Sequence, residues 1–346
     1  MQESALSSEF QTASVLSCKY DDPVQALRHD LHDELSIVES LIQENLDSEY
    51  VARIVQIGEY IFSAGGKRLR PILTIACACL FGPTGRHHLN FAAAIEFIHT
   101  TTLLHDDVVD SSSQRRGRPT ANLLWDNKSS ILVGDFFFAR AFQLMVDTRS
   151  LAALAVIAES SVTISEAEVM QLAWQHDITI SEDDYFRIIN GKTACLFAAA
   201  AQVGALIAGA SESESQAAFR FGRALGISFQ IRDDVLDFDG CKLSLGKDLG
   251  DDFRDRKMTL PMIRAMQAAS TEEQDFWKRT IAEGQQHEGD FEYVRFLLKS
   301  RGHLEQVQEE AVAWSEKAKR ELENLPPHPL RDRLEWLADF SAIRQN

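Results

Sequence analysis

The chain has 346 residues and a formal net charge of −17 at pH 7, from 35 basic and 52 acidic side chains. This negative balance disfavours nucleic acid or an anionic membrane surface as a partner of the chain as a whole. Hydrophobic residues make up 45% of the sequence, which is ample for a large core.

The N-terminal segment, residues 1–22, predicts a flexible tail rather than a targeting sequence. It has no basic region followed by an apolar stretch, and it is poor in the arginines of a transit peptide. Residues 23–346 predict a single all-α domain. The five cysteines are odd in number and include no CxxC pair, which favours reduced thiols in the cytoplasm over disulfides or a zinc site.

Helical periodicity runs through this domain, and no alternating pattern typical of β-strands appears. The apolar stretch 194–210 is the one candidate for a transmembrane segment, but its many alanines and Gln202 are more typical of a buried helix. The predicted fold is a large helical bundle around a central active-site cavity. The predicted helices cover residues 24–45, 48–64, 68–81, 88–110, 120–126, 129–147, 151–174, 182–189, 192–210, 213–238, 257–268, 272–283, 290–300, 302–323 and 327–343.

Two aspartate-rich motifs lie in apolar, helical surroundings: DDVVD at Asp106–Asp110 and DDVLD at Asp233–Asp237. On a helix, residues four apart share a face, so the first and last carboxylates of each motif repel each other. Oxygen ligands at this spacing suit a hard ion that keeps waters and shares itself with substrate phosphates, which describes magnesium. Two solvated acidic turns would give the same pattern. The two motifs can serve one site only if their helices face each other.

Four basic segments offer sites for polyanions in this acidic protein. GGKRLRP, residues 65–71, places three cations at a loop-to-helix junction, where glycines allow close approach and a helix start attracts anions. QRRGRPT, residues 114–120, carries arginines that fit phosphate oxygens through a bidentate fork. GKDLGDDFRDRKMTLP, residues 246–261, and NGKTA, residues 190–194, add further lysines. Alone, each segment is also compatible with a solvated basic turn.

Taken in order, these motifs resemble those of the trans-prenyltransferases, and in particular the long-chain octaprenyl, solanesyl and decaprenyl diphosphate synthases. The likeness extends over residues 24–343. It implies an all-α homodimer that condenses isopentenyl diphosphate with an allylic diphosphate such as farnesyl or geranylgeranyl diphosphate, using two to three Mg²⁺ ions per active site. The implied product is an all-trans chain of about 40 to 50 carbons for a quinone side chain, comparable in length with a long helix.

The resemblance also implies roles for individual residues. The implied metal ligands are Asp106, Asp107, Asp110, Asp233 and Asp237. The implied catalytic residues are these five together with Asp234, Arg115, Lys192 and Lys257. The residues implied to hold isopentenyl diphosphate are Lys67, Arg70, His99 and Arg116. The residues implied to hold the allylic diphosphate are Arg115, Lys192, Thr193, Gln230, Lys247 and Lys257.

Product length is expected to depend on residues near the first acidic motif. Thr101 and Thr102 lie about one helical turn before Asp106, where short-chain relatives often place an aromatic floor, so an open shaft is expected. Phe136–Phe138 are candidates for a deeper floor, although core packing is the expected role of at least two of them. One departure from the family is Arg256, which replaces a common glycine and would add a phosphate contact or restrict its loop.

Several other functions remain open from the sequence. A farnesyl or geranylgeranyl diphosphate synthase would carry the same motifs and make a shorter product. A non-catalytic regulatory subunit of a heteromeric synthase should have eroded acidic motifs, whereas both are intact here. A terpene cyclase would not need a site for isopentenyl diphosphate, and a calcium-binding EF-hand would need a glycine-containing loop of about twelve residues.

Overall fold

Helices make up nearly all the regular structure in the computed structural model of this protein, which describes residues 22–83, 85–239 and 249–344. The expected all-α fold is confirmed. Two π-helical turns, Asn190–Ala194 and Lys278–Ala282, continue the helices that precede them. The α-helices are α1 Pro23–Asp30, α2 His32–Asn45, α3 Ala52–Ser63, α4 Leu69–Cys79, α5 His87–Val109, α6 Ala121–Leu124, α7 Asn127–Asp147, α8 Leu151–Ala173, α9 Glu182–Ile189, α10 Cys195–Ile207, α11 Glu212–Asp239, α12 Asp251–Arg254, α13 Leu260–Gln267, α14 Thr271–Trp277, α15 Asp290–Ser300, α16 His303–Leu322 and α17 Pro329–Ile343.

The structure departs from the predicted elements at three places, and residues 1–21 of the predicted tail lie outside the described residues. Leu31 divides the expected helix 24–45, because its φ of −113° and ψ of 24° are not helical. The second basic segment forms a short antiparallel hairpin of β1, Gln114–Arg115, and β2, Arg118–Pro119. A short helix that was not predicted, α12, precedes α13.

Helix α10 runs through the centre of the bundle. Every residue from Cys195 to Ala205 is buried, and the helix contacts α4, α5, α8 and α11. Glycines allow this close packing, since a Cβ atom on Gly222 of α11 would overlap the backbone carbonyl of Phe197. The prediction that 194–210 contains a buried helix is therefore confirmed.

Helix α7 is the one described helix whose length and composition would allow it to cross a membrane. It packs along α5, and 44% of its apolar window is buried within the protein. The two helices approach closely at Gly134, whose carbonyl oxygen accepts a 2.9 Å hydrogen bond from the Thr101 hydroxyl. A core helix passes the same length and composition test.

Two hydrophobic clusters fill the bundle, and α11 contributes to both. Leu225 belongs to the first cluster and Ile227 to the second, while Trp314 packs against both. Phe136–Phe138 all pack in or against the first cluster, and Phe137 is fully buried there. The core-packing interpretation of at least two of these phenylalanines is therefore confirmed. The acidic motifs lie in the last turns of α5 and α11, next to these cores.

Candidate active site

The first aspartate motif, in the last turn of α5, already has cationic partners. Lys192 Nζ lies 3.3 Å from Asp106 Oδ2 and 2.7 Å from Glu168 Oε2, so it links α5 to α8. The buried Asp107 accepts hydrogen bonds from Arg115 Nε at 2.9 Å and Arg115 Nη2 at 2.7 Å. Asp107 therefore orients the guanidinium group of Arg115, while Asp106 faces the lysine.

The second aspartate motif, in α11, has mostly neutral donors around it. Asp234 is buried and accepts hydrogen bonds from Tyr185 Oη at 2.6 Å and Gln230 Nε2 at 2.9 Å. Asp233 is more accessible, and its Oδ1 lies 2.6 Å from Nη2 of Arg344, near the end of the chain. The second motif thus combines one braced carboxylate with one that faces a single arginine.

Asp237, the last residue of the second motif, holds the loop that follows. Its carboxylate accepts from the backbone N–H groups of Gly250, Asp251 and Asp252 at 3.2, 3.1 and 3.1 Å. These bonds fix the start of α12, which explains why a helix forms there. Burial raises the pKa of Asp237 to about 7, and the negative charge of Asp252 adds to the increase. The same two causes raise the pKa of Asp234 to about 7.

The two motifs approach each other around Lys257. Its Nζ lies 3.7 Å from Asp252 Oδ1, and the negative charges of Asp252, Asp234, Asp110 and Asp237 raise its pKa above the usual 10.5, against the opposing effect of burial. Asp110 directly follows α5, whereas Asp234 and Asp237 belong to α11 and Asp252 to α12, so carboxylates of both motifs act on Lys257. Facing motifs are what a shared site requires.

The carboxylates fit hard divalent ions by donor type but not as a complete protein cage. Among the described residues, no three His, Cys, Asp or Glu side chains come close enough to hold a metal ion. Mg²⁺ is usually bound by one or two carboxylates together with waters and substrate phosphates. The arrangement therefore suits ions that a diphosphate brings with it or helps to hold.

A cluster of arginines surrounds His99, on α5. Burial lowers the pKa of His99 well below 6.5, and neighbouring positive charges lower it further, so the imidazole is neutral near pH 7. These charges come from Arg70, Arg116, Arg115 and Arg68. Burial also lowers the pKa of Arg70 to about 10, and its guanidinium lies over the Phe197 ring at 4.6 Å. A concentration of positive charge in a partly apolar pocket attracts a multivalent anion.

The first two basic segments contact each other directly. Arg116 donates a hydrogen bond to the carbonyl oxygen of Gly65, and a Cβ atom on Gly66 would lie 2.8 Å from Arg116 Nη2. Gly66 is therefore needed for close approach as well as for its φ of +148°. Arg68 pairs with the buried Glu96, which fixes the loop before α4. GGKRLRP and QRRGRPT thus form one basic surface.

Lys67 connects this basic surface to the second aspartate motif. Burial lowers its pKa, as does the charge of Arg344, whereas Asp233 and Asp22 raise it. Arg344 and Asp233 are themselves in contact. Asp233 of α11 therefore acts electrostatically on Lys67, which is expected to hold isopentenyl diphosphate.

The other residues expected to hold the allylic diphosphate lie along α11 and the π-helical turn before α10. Thr193 Oγ1 donates to Gln230 Oε1 at 2.8 Å, and Gln230 in turn donates to Asp234. This relay joins Thr193 to the second motif, while Lys192 of the same turn reaches the first. Lys247 lies outside the described residues.

Arg256 contacts a loop at the rim of this site. Its φ of 55° lies in the left-handed region that favours glycine, which accounts for the glycine common in the family at this position. Its Nη1 lies 2.7 Å from where a Cβ atom of Gly284 would be. Of the two effects expected for Arg256, this contact supports restriction of the loop.

Four residues near the site were not predicted from the sequence. Glu168, Tyr185 and Arg344 have no local pattern that indicates a role, since they reach the motifs from other helices or from the end of the chain. Asp252 could have been identified, because it belongs to the acidic run DDFRD, residues 251–255, which ends two residues before Lys257.

Comparison with known proteins agrees with this geometry. A sequence profile of the polyprenyl synthetase family matches residues 51–297. The octaprenyl diphosphate synthase of Escherichia coli K12 is 42% identical over 311 residues, which cover 90% of this chain and 96% of that protein. The geranyl-diphosphate-specific all-trans-nonaprenyl-diphosphate synthase of Rhodobacter capsulatus is 40% identical over 312 residues, which cover 90% and 95%.

Solved structures share both the fold and a large part of the sequence. A decaprenyl diphosphate synthase from Rhodobacter capsulatus superimposes with a TM-score of 0.90 at 50% identity, covering 93% of this chain and 99% of that one. A polyprenyl synthase from Caulobacter crescentus CB15, in complex with calcium and isoprenyl diphosphate, has a TM-score of 0.90 at 44% identity, covering 93% and 98%. The family profile matches most of the chain, and these relatives agree with it in sequence identity and in structural superposition. The chain therefore belongs to the polyprenyl synthetase family.

Proposed function

We propose that this protein is a prenyltransferase that makes a long-chain all-trans polyprenyl diphosphate from isopentenyl diphosphate and an allylic diphosphate. The observation that carries the proposal is that one turn joins both aspartate motifs, since Lys192 contacts Asp106 and Thr193 reaches Asp234 through Gln230. The basic surface formed by GGKRLRP and QRRGRPT provides the arginines for a diphosphate. Carboxylates hold divalent ions and arginines hold diphosphates, so such a site suits two diphosphate substrates at once.

Mg²⁺ is the cofactor that we propose, with two to three ions per site. Asp106, Asp110 and Asp233 would hold them, because Asp107 and Asp234 are buried and Asp237 accepts hydrogen bonds from three backbone N–H groups. The related structure from Caulobacter crescentus, which contains calcium and isoprenyl diphosphate, supports a divalent ion in this family. When bound, the ions draw charge from the allylic diphosphate as its C–O bond breaks.

The protein's own cations would stabilise the same step. Arg115, Lys192 and Lys257 supply fixed positive charge where the leaving diphosphate becomes more negative. The C=C bond of isopentenyl diphosphate then attacks the allylic cation and forms a new C–C bond. The cation that results loses a proton to the departing diphosphate, which restores a C=C bond. The residues that would orient isopentenyl diphosphate are Lys67, Arg70, His99 and Arg116. The residues that would orient the allylic diphosphate are Arg115, Lys192, Thr193, Gln230, Lys247 and Lys257.

The product that we propose has about 40 to 50 carbons, which suits a quinone side chain. Helix α5 has 23 residues and spans about 35 Å. Similar proteins are octaprenyl, nonaprenyl and decaprenyl synthases, which supports this range. Thr102 lies four residues before Asp106 and is half-buried, so it lines the same helix face. Thr101, by contrast, is buried, and its hydroxyl donates a hydrogen bond to the Gly134 carbonyl oxygen of α7.

A homodimer is the assembly that we propose, on the basis of an exposed apolar face of α8. Leu151, Val162 and Val169 are 80%, 54% and 68% exposed. Their spacing of 11 and 7 residues brings them to one side of the helix. Replacing Val169 with glutamate should convert the dimer to a monomer, measured by sedimentation, and an unchanged mass would show that α8 is not the interface.

The protein would act in the cytoplasm as one domain, residues 23–346. The three described cysteines, Cys77, Cys79 and Cys195, are free thiols, which suits a reducing compartment. Trp314, which packs against both hydrophobic clusters, supports a single folding unit.

The main test is a product assay with purified protein, labelled isopentenyl diphosphate, farnesyl or geranylgeranyl primer, and Mg²⁺. We expect a long-chain product by chromatography and no turnover in EDTA. A farnesyl or geranylgeranyl end product would instead indicate a shorter-chain synthase. Turnover that requires a second, different chain would indicate a regulatory subunit.

Product length is tested by Thr102→Phe, with Thr101→Ser as the matched control. Phenylalanine at position 102 should block the shaft one turn below Asp106 and shorten the product, while the first condensation continues. Serine at position 101 keeps the hydrogen bond to Gly134, so the product should not change. An unchanged product from Thr102→Phe would show that the growing chain runs elsewhere.

A further inference from the structure

Two buried oxygen atoms on α8 lack a hydrogen-bond donor. Among the described residues, Glu168 Oε1 and Gln171 Oε1 are buried and have no hydrogen-bond partner. The two residues are three apart on one helix, so they lie on the same face. Buried acceptors are normally paired, and those that are not point to a water or ligand at the site.

Glu168 is tied to the active site through its other oxygen. Oε2 accepts a 2.7 Å hydrogen bond from Lys192 Nζ, which also contacts Asp106 at 3.3 Å. This contact depends on close packing, since a Cβ atom on Gly191 would lie 2.9 Å from the Thr163 carbonyl oxygen of α8. Lys192 therefore accounts for one oxygen of Glu168 and leaves the other without a donor.

The charge around Glu168 indicates what kind of donor is missing. Burial raises the pKa of this carboxyl, and the negative charge of Asp106 raises it further, with a smaller effect from Asp110. A third carboxylate beside Asp106 and Asp110 is unfavourable unless positive charge is added. Mg²⁺ commonly keeps several waters when protein and phosphate oxygens bind it, and those waters are strong hydrogen-bond donors.

We infer that Glu168 and Gln171 position the magnesium ions of the first motif by accepting hydrogen bonds from metal-bound water. This inference rests on the proposed function, in which Asp106 and Asp110 hold Mg²⁺ with a diphosphate. Glu168 has two tasks in this arrangement: one oxygen fixes Lys192 toward the substrate, and the other holds the hydrated side of the ion. Residues that contact a metal through such an intermediate commonly change its affinity by about 10- to 100-fold when replaced.

The test measures Mg²⁺ binding by calorimetry in the presence of inorganic diphosphate, so that turnover is not the readout. Glu168→Gln keeps the shape of the side chain and should weaken Mg²⁺ binding about tenfold. Gln171→Leu should weaken it by a smaller, few-fold factor. Glu166→Gln removes the same charge from an exposed position two residues away and should match the wild-type protein.

A second pair of variants separates this role from a simple salt bridge to Lys192. If Glu168 acts only through Lys192, replacing Glu168 in a Lys192→Met background will cause no further loss of Mg²⁺ affinity. The inference requires that the loss persists in that background. If the loss of Mg²⁺ affinity persists in full, it supports the water-mediated contact. If the loss disappears, the inference is overturned.

Asp106→Asn distinguishes failure of this inference from failure of the proposed function. Loss of Mg²⁺ binding in Asp106→Asn together with wild-type binding in Glu168→Gln would overturn the inference and leave the function intact. Unchanged binding in Asp106→Asn would overturn the metal site itself and, with it, the role given to Glu168. Melting temperatures without Mg²⁺ show whether each variant is folded.

Discussion

The motifs DDVVD and DDVLD are nearly identical in sequence, yet the fold gives them different surroundings. In the first, basic side chains, Lys192 and Arg115, contact Asp106 and Asp107. In the second, a tyrosine hydroxyl, an amide and backbone N–H groups hold Asp234 and Asp237, and burial raises the pKa of both. Cationic side chains therefore partly compensate the first motif before any metal binds, whereas in the second motif burial suppresses the ionisation of Asp234 and Asp237.

Within each motif, the second aspartate has a different role from the first. Asp107 braces Arg115, and Asp234 is braced by Tyr185, so both middle carboxylates are buried and directed into the protein. A carboxyl group that is buried and hydrogen-bonded to the protein fixes geometry and is poorly available to an ion. Asp106 and Asp233 are therefore candidate ligands, whereas Asp107 and Asp234 are candidate braces.

Loss of a candidate ligand should have the largest effect. Asp106→Ala and Asp233→Ala are each expected to lower turnover on the order of a thousandfold or more, because an ion that stabilises the leaving diphosphate is lost. Steady-state assays with labelled isopentenyl diphosphate measure this loss, and circular dichroism checks that the helices remain. Full activity in either variant, or in EDTA, would contradict the metal assignment.

Loss of a bracing carboxylate should lower turnover less than loss of a candidate ligand, and it should leave the Mg²⁺ dependence nearly unchanged. Asp107→Asn weakens the contact that orients Arg115, and we expect turnover to fall about a hundredfold, as when one preorganised donor is lost. The Mg²⁺ dependence of the remaining activity should stay close to that of the wild-type protein. If Asp107→Asn instead shifts this dependence as far as Asp106→Asn does, Asp107 is a ligand and the division fails.

Removal of the arginine that contacts Asp233 should modestly increase the affinity for Mg²⁺, whereas removal of a candidate ligand lowers it. Arg344→Ala frees this carboxylate, and we expect apparent Mg²⁺ affinity to increase about fivefold, since partly exposed ion pairs contribute up to about 1 kcal/mol. Calorimetric titration measures the change. Arg320→Ala, an exposed arginine on α16, is the control and should leave it unaltered. Weaker Mg²⁺ binding in Arg344→Ala would mean that the arginine supports the metal site.

The pH dependence of stability without metal should be the smallest effect and should come from the second motif. Because the folded-state pKa values of Asp234 and Asp237 are raised to about 7, the folded protein holds protons that the unfolded chain releases above about pH 4. The free energy of unfolding should therefore fall as pH rises from about 4 to 7. In EDTA, we expect the melting temperature to be a few degrees lower at pH 8 than at pH 5.5.

Asp234→Asn should flatten this pH profile, because its amide does not ionise. Asp107→Asn is the matched change in the first motif and serves as the control for replacing a buried carboxylate with an amide. Equal slopes in the wild-type protein and Asp234→Asn would show that Asp234 is ionised in the folded state.

The features that the sequence alone determined are local ones. Apolar spacing predicted most helices, and the acidic and basic motifs were found because their chemistry lies within a few consecutive residues. The expectation that Thr101 and Thr102 both leave the shaft open was also a local inference, and the fold gives the two hydroxyls different partners. Adjacent helical residues point about 100° apart, so Thr101 meets Gly134 of α7 while Thr102 stays on the face of Asp106.

Only the tertiary structure decided which carboxylates are braced and which are accessible. Tyr185, Glu168 and Arg344 come from α9, α8 and the chain end, and no spacing rule relates them to Asp234, Lys192 or Asp233. Burial and hydrogen bonding depend on which helices pack together, so two motifs with the same pattern acquired different ionisation and different partners. The sequence thus determined where acidic chemistry is concentrated, and the packing of α5, α8 and α11 decided what each aspartate does.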